Sequence, residues 1–220
     1  MPERINLRTA DDVNIAGDHY RGEAGSPGVL MLHMMPADKK SWAGFAKKLN
    51  EAGFGALAID LRGHGESEGG PDGYRDFSDA DHQKSIEDVR AAVGFMTAEK
   101  HSKIFLAGAS IGANLVLQYL AESDRVSAAV LLSAGLNYKG IETLPLAKKI
   151  RPEQGAFFIA AKDDVRSGGA ADEMSQNIYD TANCRKKIKI YDVGGHGTDL
   201  FSAHSELMDD IINWLKGFIN

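Results

Sequence analysis

The sequence predicts one α/β domain: a mostly parallel central sheet of about eight strands, covered by helices on both faces. Three observations predict it. Short apolar runs alternate along the chain with longer segments of helical period. Several of those runs, such as Ile104-Phe105-Leu106-Ala107 and Ala128-Ala129-Val130-Leu131-Leu132, are apolar without interruption, as strands buried on both faces require. The chain also has 220 residues, 43% of them hydrophobic, with no repeat, linker or shift in composition. That suffices for one sizeable core, so a single domain over 1–220 is expected.

Taken in order, 4–8 and 13–20 read as a hairpin around Asp11-Asp12. The run 29–33 is a buried strand, 41–51 a helix and 55–60 a strand. The segment 80–99 has one long amphipathic helical period. Strand 103–108 leads into helix 111–122, followed by strands 126–133 and 156–161. Helix 169–181, strand 186–191 and helix 204–219 complete the chain. Parallel strands joined by helices wind in right-handed units, and ligands bind such sheets at the carboxyl ends of the strands.

The charge balance excludes several roles. Net charge is −6 with both signs interspersed and no basic stripe, so no nucleic-acid partner is expected. No apolar run is long enough to span a bilayer, and no membrane partner is expected. Met1-Pro2-Glu3-Arg4 lacks the apolar core of a signal peptide. A cytoplasmic location follows, unless an export leader has been removed. The single cysteine, Cys184, permits no internal disulfide and fits no metal-ligand spacing, so neither metal nor cofactor is expected.

Polar residues collect just after the strands. Gly108-Ala109-Ser110-Ile111-Gly112 has the form G-x-S-x-G between a strand-like and a helix-like run. In that context it describes a sharp turn holding Ser110 at the tip of a sheet, above a helix N-terminus. Asp163 and Asp164 follow 156–161, and His196 follows 186–191 within Gly194-Gly195-His196-Gly197. A serine hydroxyl needs a base to become a nucleophile. A neutral imidazole can supply it, and a buried carboxylate can fix the tautomer of that imidazole.

With these segments the chain resembles the α/β-hydrolase superfamily, in particular its lidless serine esterases and dienelactone-hydrolase-like members. Four segments in order carry the resemblance from about Val29 onward: Leu32-His33-Met34-Met35-Pro36, Asp60-Leu61-Arg62-Gly63-His64-Gly65-Glu66-Ser67, the elbow at Ser110, and Gly195-His196-Gly197. The resemblance implies Ser110 as nucleophile and His196 as general base and acid. Asp164 is favoured as the acid over Asp163, from the strand pattern Phe157-Phe158-Ile159 and from Ser167 as a helix start. Only one of the two neighbours can face His196. The resemblance also implies an oxyanion hole made by the backbone N–H groups of Ile111 and Met35. Met34 departs from the usual glycine, and its bulk is expected to narrow the pocket.

A serine at the elbow separates this chain from relatives with an aspartate (dehalogenases, epoxide hydrolases) or a cysteine (dienelactone hydrolases) there. The stretch 134–155 is too short for a lid domain, so an open, shallow site is expected, with Leu144, Leu146 and Ile150 along one wall. The expected substrate is a small ester or thioester. The rivals are a ligand-binding sensor on a hydrolase scaffold and a cofactor-free lyase or haloperoxidase.

Each residue also has a plainer reading. Ser110 could be a helix N-cap, and His196 a loop histidine. His33 packs or hydrogen-bonds behind the oxyanion loop, and His64 with Asp60 and Arg62 holds a glycine turn. Asp199 caps a helical turn, and His204 begins the last helix. His19, His82 and His101 default to the surface, and Lys148-Lys149 to a solvated face. Met31, Met34 and Met35 line core or pocket.

Overall fold

The computed structural model describes residues 1–166 and 168–219. Its main sheet has eight strands: β1 (Glu3–Arg8), β2 (Asn14–Tyr20), β3 (Gly28–Leu32), β4 (Gly55–Ile59), β5 (Ile104–Ala109), β6 (Ala128–Leu132), β7 (Gly155–Ala161) and β8 (Arg185–Tyr191). Their spatial order is β1-β2-β4-β3-β5-β6-β7-β8. β1 and β2 pair antiparallel, β2 joins β4 antiparallel, and every later neighbour is parallel. The long helices are α1 (Ala43–Glu51), α2 (Ile86–Ala98), α3 (Ile111–Glu122), α4 (Ala171–Thr181) and α5 (Leu207–Lys216).

Strands β3 to β7 are buried at every position. Alternate residues of each strand serve different cores, because successive side chains leave opposite faces of a sheet. Leu30, Leu32, Leu106, Leu131 and Phe158 pack with α2, α3 and Ile178 of α4. Val29, Met31, Phe105, Val130, Phe157 and Ile159 pack with α1 and α5. The uninterrupted apolar runs of the sequence are therefore two half-faces read together. At the far edge β8 carries Arg185, Lys186, Lys187 and Lys189, charges that discourage pairing with another strand.

Three helical expectations are corrected. The long helix over 80–99 is two pieces, Asp79–Gln83 and Ile86–Ala98. His82, Ile86, Val89, Val93 and Met96 are all buried, so the period runs through the break and hides it. The helix expected from Gly169 begins at Ala171, because Gly169 (φ +121°) belongs to a hairpin of Val165–Arg166 with Gly169–Ala170. Ser167, taken as the helix start, lies outside the described residues. The last helix starts at Leu207 rather than His204, after a separate turn over Leu200–Ala203.

No lid domain follows β6. The stretch holds a hairpin, Asn137–Tyr138 with Ile141–Glu142, and a short helix, Thr143–Ala147. Buried Asn114 of α3 fastens it: its side-chain amide donates to the carbonyls of Gly135 and Ile141 and its oxygen accepts from Gly135 N–H. Ile150 is in the core beside Leu144 and Leu146, so it does not line an open wall.

Candidate active site

The sheet order reverses around β3, whose neighbours β4 and β5 lie on opposite sides. Loops leaving β3 and β5 therefore part above that point, which is where α/β sheets bind ligands. Ser110 stands there, between β5 and α3, with φ +55° and ψ −120°. A non-glycine residue at positive φ costs on the order of 1–3 kcal/mol and needs its surroundings to hold it. Its N–H donates to Leu132 O at 2.9 Å, fastening the turn to β6. Two glycines make the turn possible. A Cβ on Gly108 would lie 2.2 Å from Gly112 O, and one on Gly112 would lie 2.5 Å from Leu32 O and 2.7 Å from His33 O. The elbow thus needs glycine on both sides because α3 starts hard against the ends of β5 and β3.

Ser110 occupies the N-cap position of α3, yet its side chain makes no capping hydrogen bond. The plain N-cap reading therefore fails. The half-buried hydroxyl is left to other partners. Ile111, the first helical residue, has a backbone N–H with no acceptor inside the helix. Met35 sits half-buried in the loop after β3.

That loop is held from behind. His33 is fully buried; its Nδ1 donates to Met34 O at 2.9 Å and its Nε2 accepts Leu61 N–H at 3.0 Å. Burial, with the nearby His64, pushes its pKa down, so it stays neutral and keeps both bonds. Further along, Lys39 is 1% exposed. Its ammonium contacts Asp60 at 2.6 Å and Glu66 at 2.8 Å, while its N–H donates to the same Asp60 at 2.7 Å. Burial alone would lower the lysine's pKa, but the bonds to Asp60 and Glu66 hold it above its ordinary value. Asp60 also accepts Glu66 N–H at 2.8 Å. Replacing Asp60 by alanine strands a buried ammonium beside one half-exposed carboxylate. A loss of about 3 kcal/mol is expected, measured as a lower urea midpoint at unchanged slope. A loss under about 1 kcal/mol would mean the ion pair is dispensable.

Arg62 is locked similarly, between Asp88 (2.7 Å) and Asp11 (2.6 Å). His64 stacks on Tyr74 at 4.1 Å and bonds Arg62 O. The segment Asp60–Ser67 is therefore scaffold, as its sequence suggested.

The third side of the site comes from β7 and β8. His196 Nδ1 lies 2.7 Å from Asp164 Oδ2, with both side chains buried. Asp163 points elsewhere: it is exposed and accepts N–H bonds from Gly194 and Gly195 at 3.0–3.1 Å. Neighbouring residues in an extended segment diverge, so one aspartate meets the imidazole and the other holds the glycine turn before it. Burial would raise the Asp164 pKa. Hydrogen bonds from His196, Ser133 and Arg166 outweigh it and leave the carboxyl below its ordinary value, hence ionised at neutral pH.

A contact joins this pair to the elbow. A Cβ on Gly197 (φ +57°) would lie 2.6 Å from Met34 Sδ and 3.2 Å from the side chain of Ala109. The residue after His196 thus packs on the residue before Ser110. Met34 fills the space that the glycine leaves open, and its sulfur also lies 4.0 Å from Thr198 Oγ1. The bulk of Met34 is spent against the histidine turn, beside the other core, rather than only in narrowing a pocket.

Other expectations for single residues change. His19 and His82 are buried, at 2% and 3% exposed, because each lies edge-on against an apolar ring, Phe95 and Phe77. Asp199 makes no side-chain capping bond. His204 stacks on Tyr191 at 3.6 Å and contacts Val193 O, bracing the turn that leads to His196. Ser133 and Asn114 are the contributors that sequence reasoning missed, and the packing of Met34 on Gly197 is a third feature it did not show. Among the described residues no group of three His, Cys, Asp or Glu is placed to hold a metal ion, and no helix is long and apolar enough to cross a membrane.

The family described as alpha/beta hydrolase fold matches residues 27–215. A thiohydrolase, aneE of Aspergillus aculeatus, is 35% identical over 95 residues, covering 42% of this chain and 28% of that protein. The AB hydrolase superfamily protein YisY of Bacillus subtilis is 31% identical over 108 residues, covering 48% of this chain and 37% of that protein. The chain thus spans 28% of the one relative's length and 37% of the other's. Among solved structures, the Pyrococcus furiosus esterase Pf2001 superposes with a TM-score of 0.82 at 18% identity, over 100% of this chain and 91% of that one.

Proposed function

The chain belongs to the α/β-hydrolase family, and we propose that within it this protein is a serine hydrolase acting on carboxylic esters or thioesters with small acyl groups. One observation carries the reading. Ser110 is held at φ +55° with its hydroxyl unused by the helix, and a buried Asp164–His196 pair is packed against the same turn through Gly197 and Ala109. Strain and an uncapped hydroxyl have no structural use there; both suit a nucleophile.

In the proposed cycle Asp164 accepts the Nδ1 proton of His196, which leaves Nε2 as the base. Ser110 Oγ gives its proton to Nε2 and attacks the carbonyl carbon. The negative oxygen that forms accepts bonds from the N–H groups of Ile111 and Met35 at the positive end of α3. His196 then protonates the departing alcohol or thiol. Water, deprotonated by His196, releases the acid from Ser110. The absence of a lid domain after β6 favours small substrates or an acyl group on a larger carrier over long lipids. The relative named a thiohydrolase supports including thioesters.

A fluorophosphonate probe tests the reading together with short-chain p-nitrophenyl esters. Rapid one-to-one labelling at Ser110, with ester turnover, is the expected result. Thermal stabilisation by such esters without labelling or turnover would instead make the protein a sensor.

A further inference from the structure

We propose that Ser133 is a positioning residue of this site, joining the turn that carries His196 to the strand end that faces Asp164. The inference rests on the serine-hydrolase reading and adds to it a fourth polar side chain that never touches substrate.

Ser133 follows β6, and it is fully buried. Its Oγ accepts the Gly197 N–H at 2.9 Å. The hydroxyl also helps to hold the Asp164 carboxyl below its ordinary value, alongside His196 and Arg166. One side chain thereby holds the base through the residue after it and favours the ionised acid electrostatically. Its backbone is equally committed. The Ser133 N–H donates to Ile159 O at 2.9 Å, in the strand that leads to Asp164. The Ser110 N–H donates to Leu132 O, one residue before Ser133. The end of β6 therefore spans the nucleophile's turn on one side and the acid's strand on the other.

The backbone at Ser133 has φ +52°. Glycine would take that conformation without strain. A serine kept there, buried and with its hydroxyl oxygen bonded to Gly197 N–H, is what a positioning role requires. Among the described residues, Asp164 is also neighboured by Arg166, with Nε 3.1 Å from Oδ1, and by Tyr138, whose phenol is pushed up first by burial and then by Asp164. Arg166 is more than half exposed and Asp163 is turned to the glycines. Ser133 is thus the buried hydroxyl tied to the turn that carries His196.

Removing the hydroxyl leaves a buried N–H on Gly197 unsatisfied and takes away a dipole that favours the ionised Asp164. The imidazole loses its alignment, and the carboxylate, less shared, holds a protonated imidazole more strongly. Two variants separate this from a folding defect. Ser133→Ala removes the hydroxyl and keeps the strain; Ser133→Gly removes both. Both are expected to lower kcat on p-nitrophenyl acetate by about tenfold or more, with KM within about twofold. The acidic limb of the kcat/KM profile is expected to move to higher pH. Ser133→Gly is expected to melt no lower than wild type. A Ser133→Gly protein with wild-type kcat and an unmoved acidic limb overturns the proposal, whatever Ser133→Ala shows. Ser110→Ala run alongside keeps the two ideas apart. If it too retains turnover, the serine-hydrolase reading has failed; if it is dead while Ser133→Gly is normal, only the role of Ser133 has.

Discussion

Replacing Ser110 by alanine is expected to lower kcat on p-nitrophenyl acetate by about 10⁵-fold while leaving the fold and its thermal midpoint nearly unchanged. The separation follows from the geometry. The hydroxyl makes no capping bond to α3, so the helix does not depend on it. The backbone of an alanine at φ +55° is no better placed than that of serine, so the strain stays. Glycine differs, since it relieves a conformation costing about 1–3 kcal/mol. Ser110→Gly should therefore be as inactive as Ser110→Ala but melt higher than wild type. Stability gained by deleting the nucleophile would identify the turn as one kept for activity against its own conformational cost. Turnover within about tenfold of wild type in either variant would remove Ser110 from the reaction. Equal melting of the two variants would deny the strain.

The features legible in the sequence are those that have a local cause. Burial on both faces writes itself as uninterrupted runs such as Ile104–Ala107, so the parallel sheet was readable strand by strand. The elbow was readable because Gly108 and Gly112 are needed where backbones meet within a Cβ's reach of each other. The break between Gln83 and Ile86 was not, because hydrophobic period continues across it. Nor was the burial of His19 and His82, which depends on Phe95 and Phe77 being opposite them. Met34 is the sharpest case. The family resemblance leads one to expect a glycine there, and only the structure pairs Met34 with Gly197, 163 positions on, which supplies the room. Ser133 was invisible for the same reason: its partner Gly197 comes from another strand's end. Long-range complementarity leaves no period in a sequence.

The two adjacent aspartates should respond very differently to the same conservative change. Asp164→Asn is expected to lower kcat by about 10⁴-fold. The amide keeps the shape of the carboxylate 2.7 Å from His196 Nδ1. Its NH₂ can donate to that nitrogen, which drives the proton to Nε2 and removes the lone pair that Ser110 needs. It also removes the negative charge that stabilises the imidazolium. Asp163→Asn, by contrast, keeps an oxygen able to accept from Gly194 and Gly195, and activity within about threefold of wild type is expected. The pH dependence of stability gives a second, independent readout. The Asp164 carboxyl is held below its ordinary value in the folded protein, against burial, by His196, Ser133 and Arg166. Its contribution is therefore fully present above the unfolded carboxyl's value of about 3.9 and is lost as pH falls through the lower folded value. Wild type should exceed Asp164→Asn in stability at pH 6, and the gap should close as the pH is taken below about 4. Full activity in Asp164→Asn together with a dead Asp163→Asn would exchange their roles. A stability gap that widens on acidification would contradict the ionised, hydrogen-bonded Asp164 on which the proposed mechanism depends.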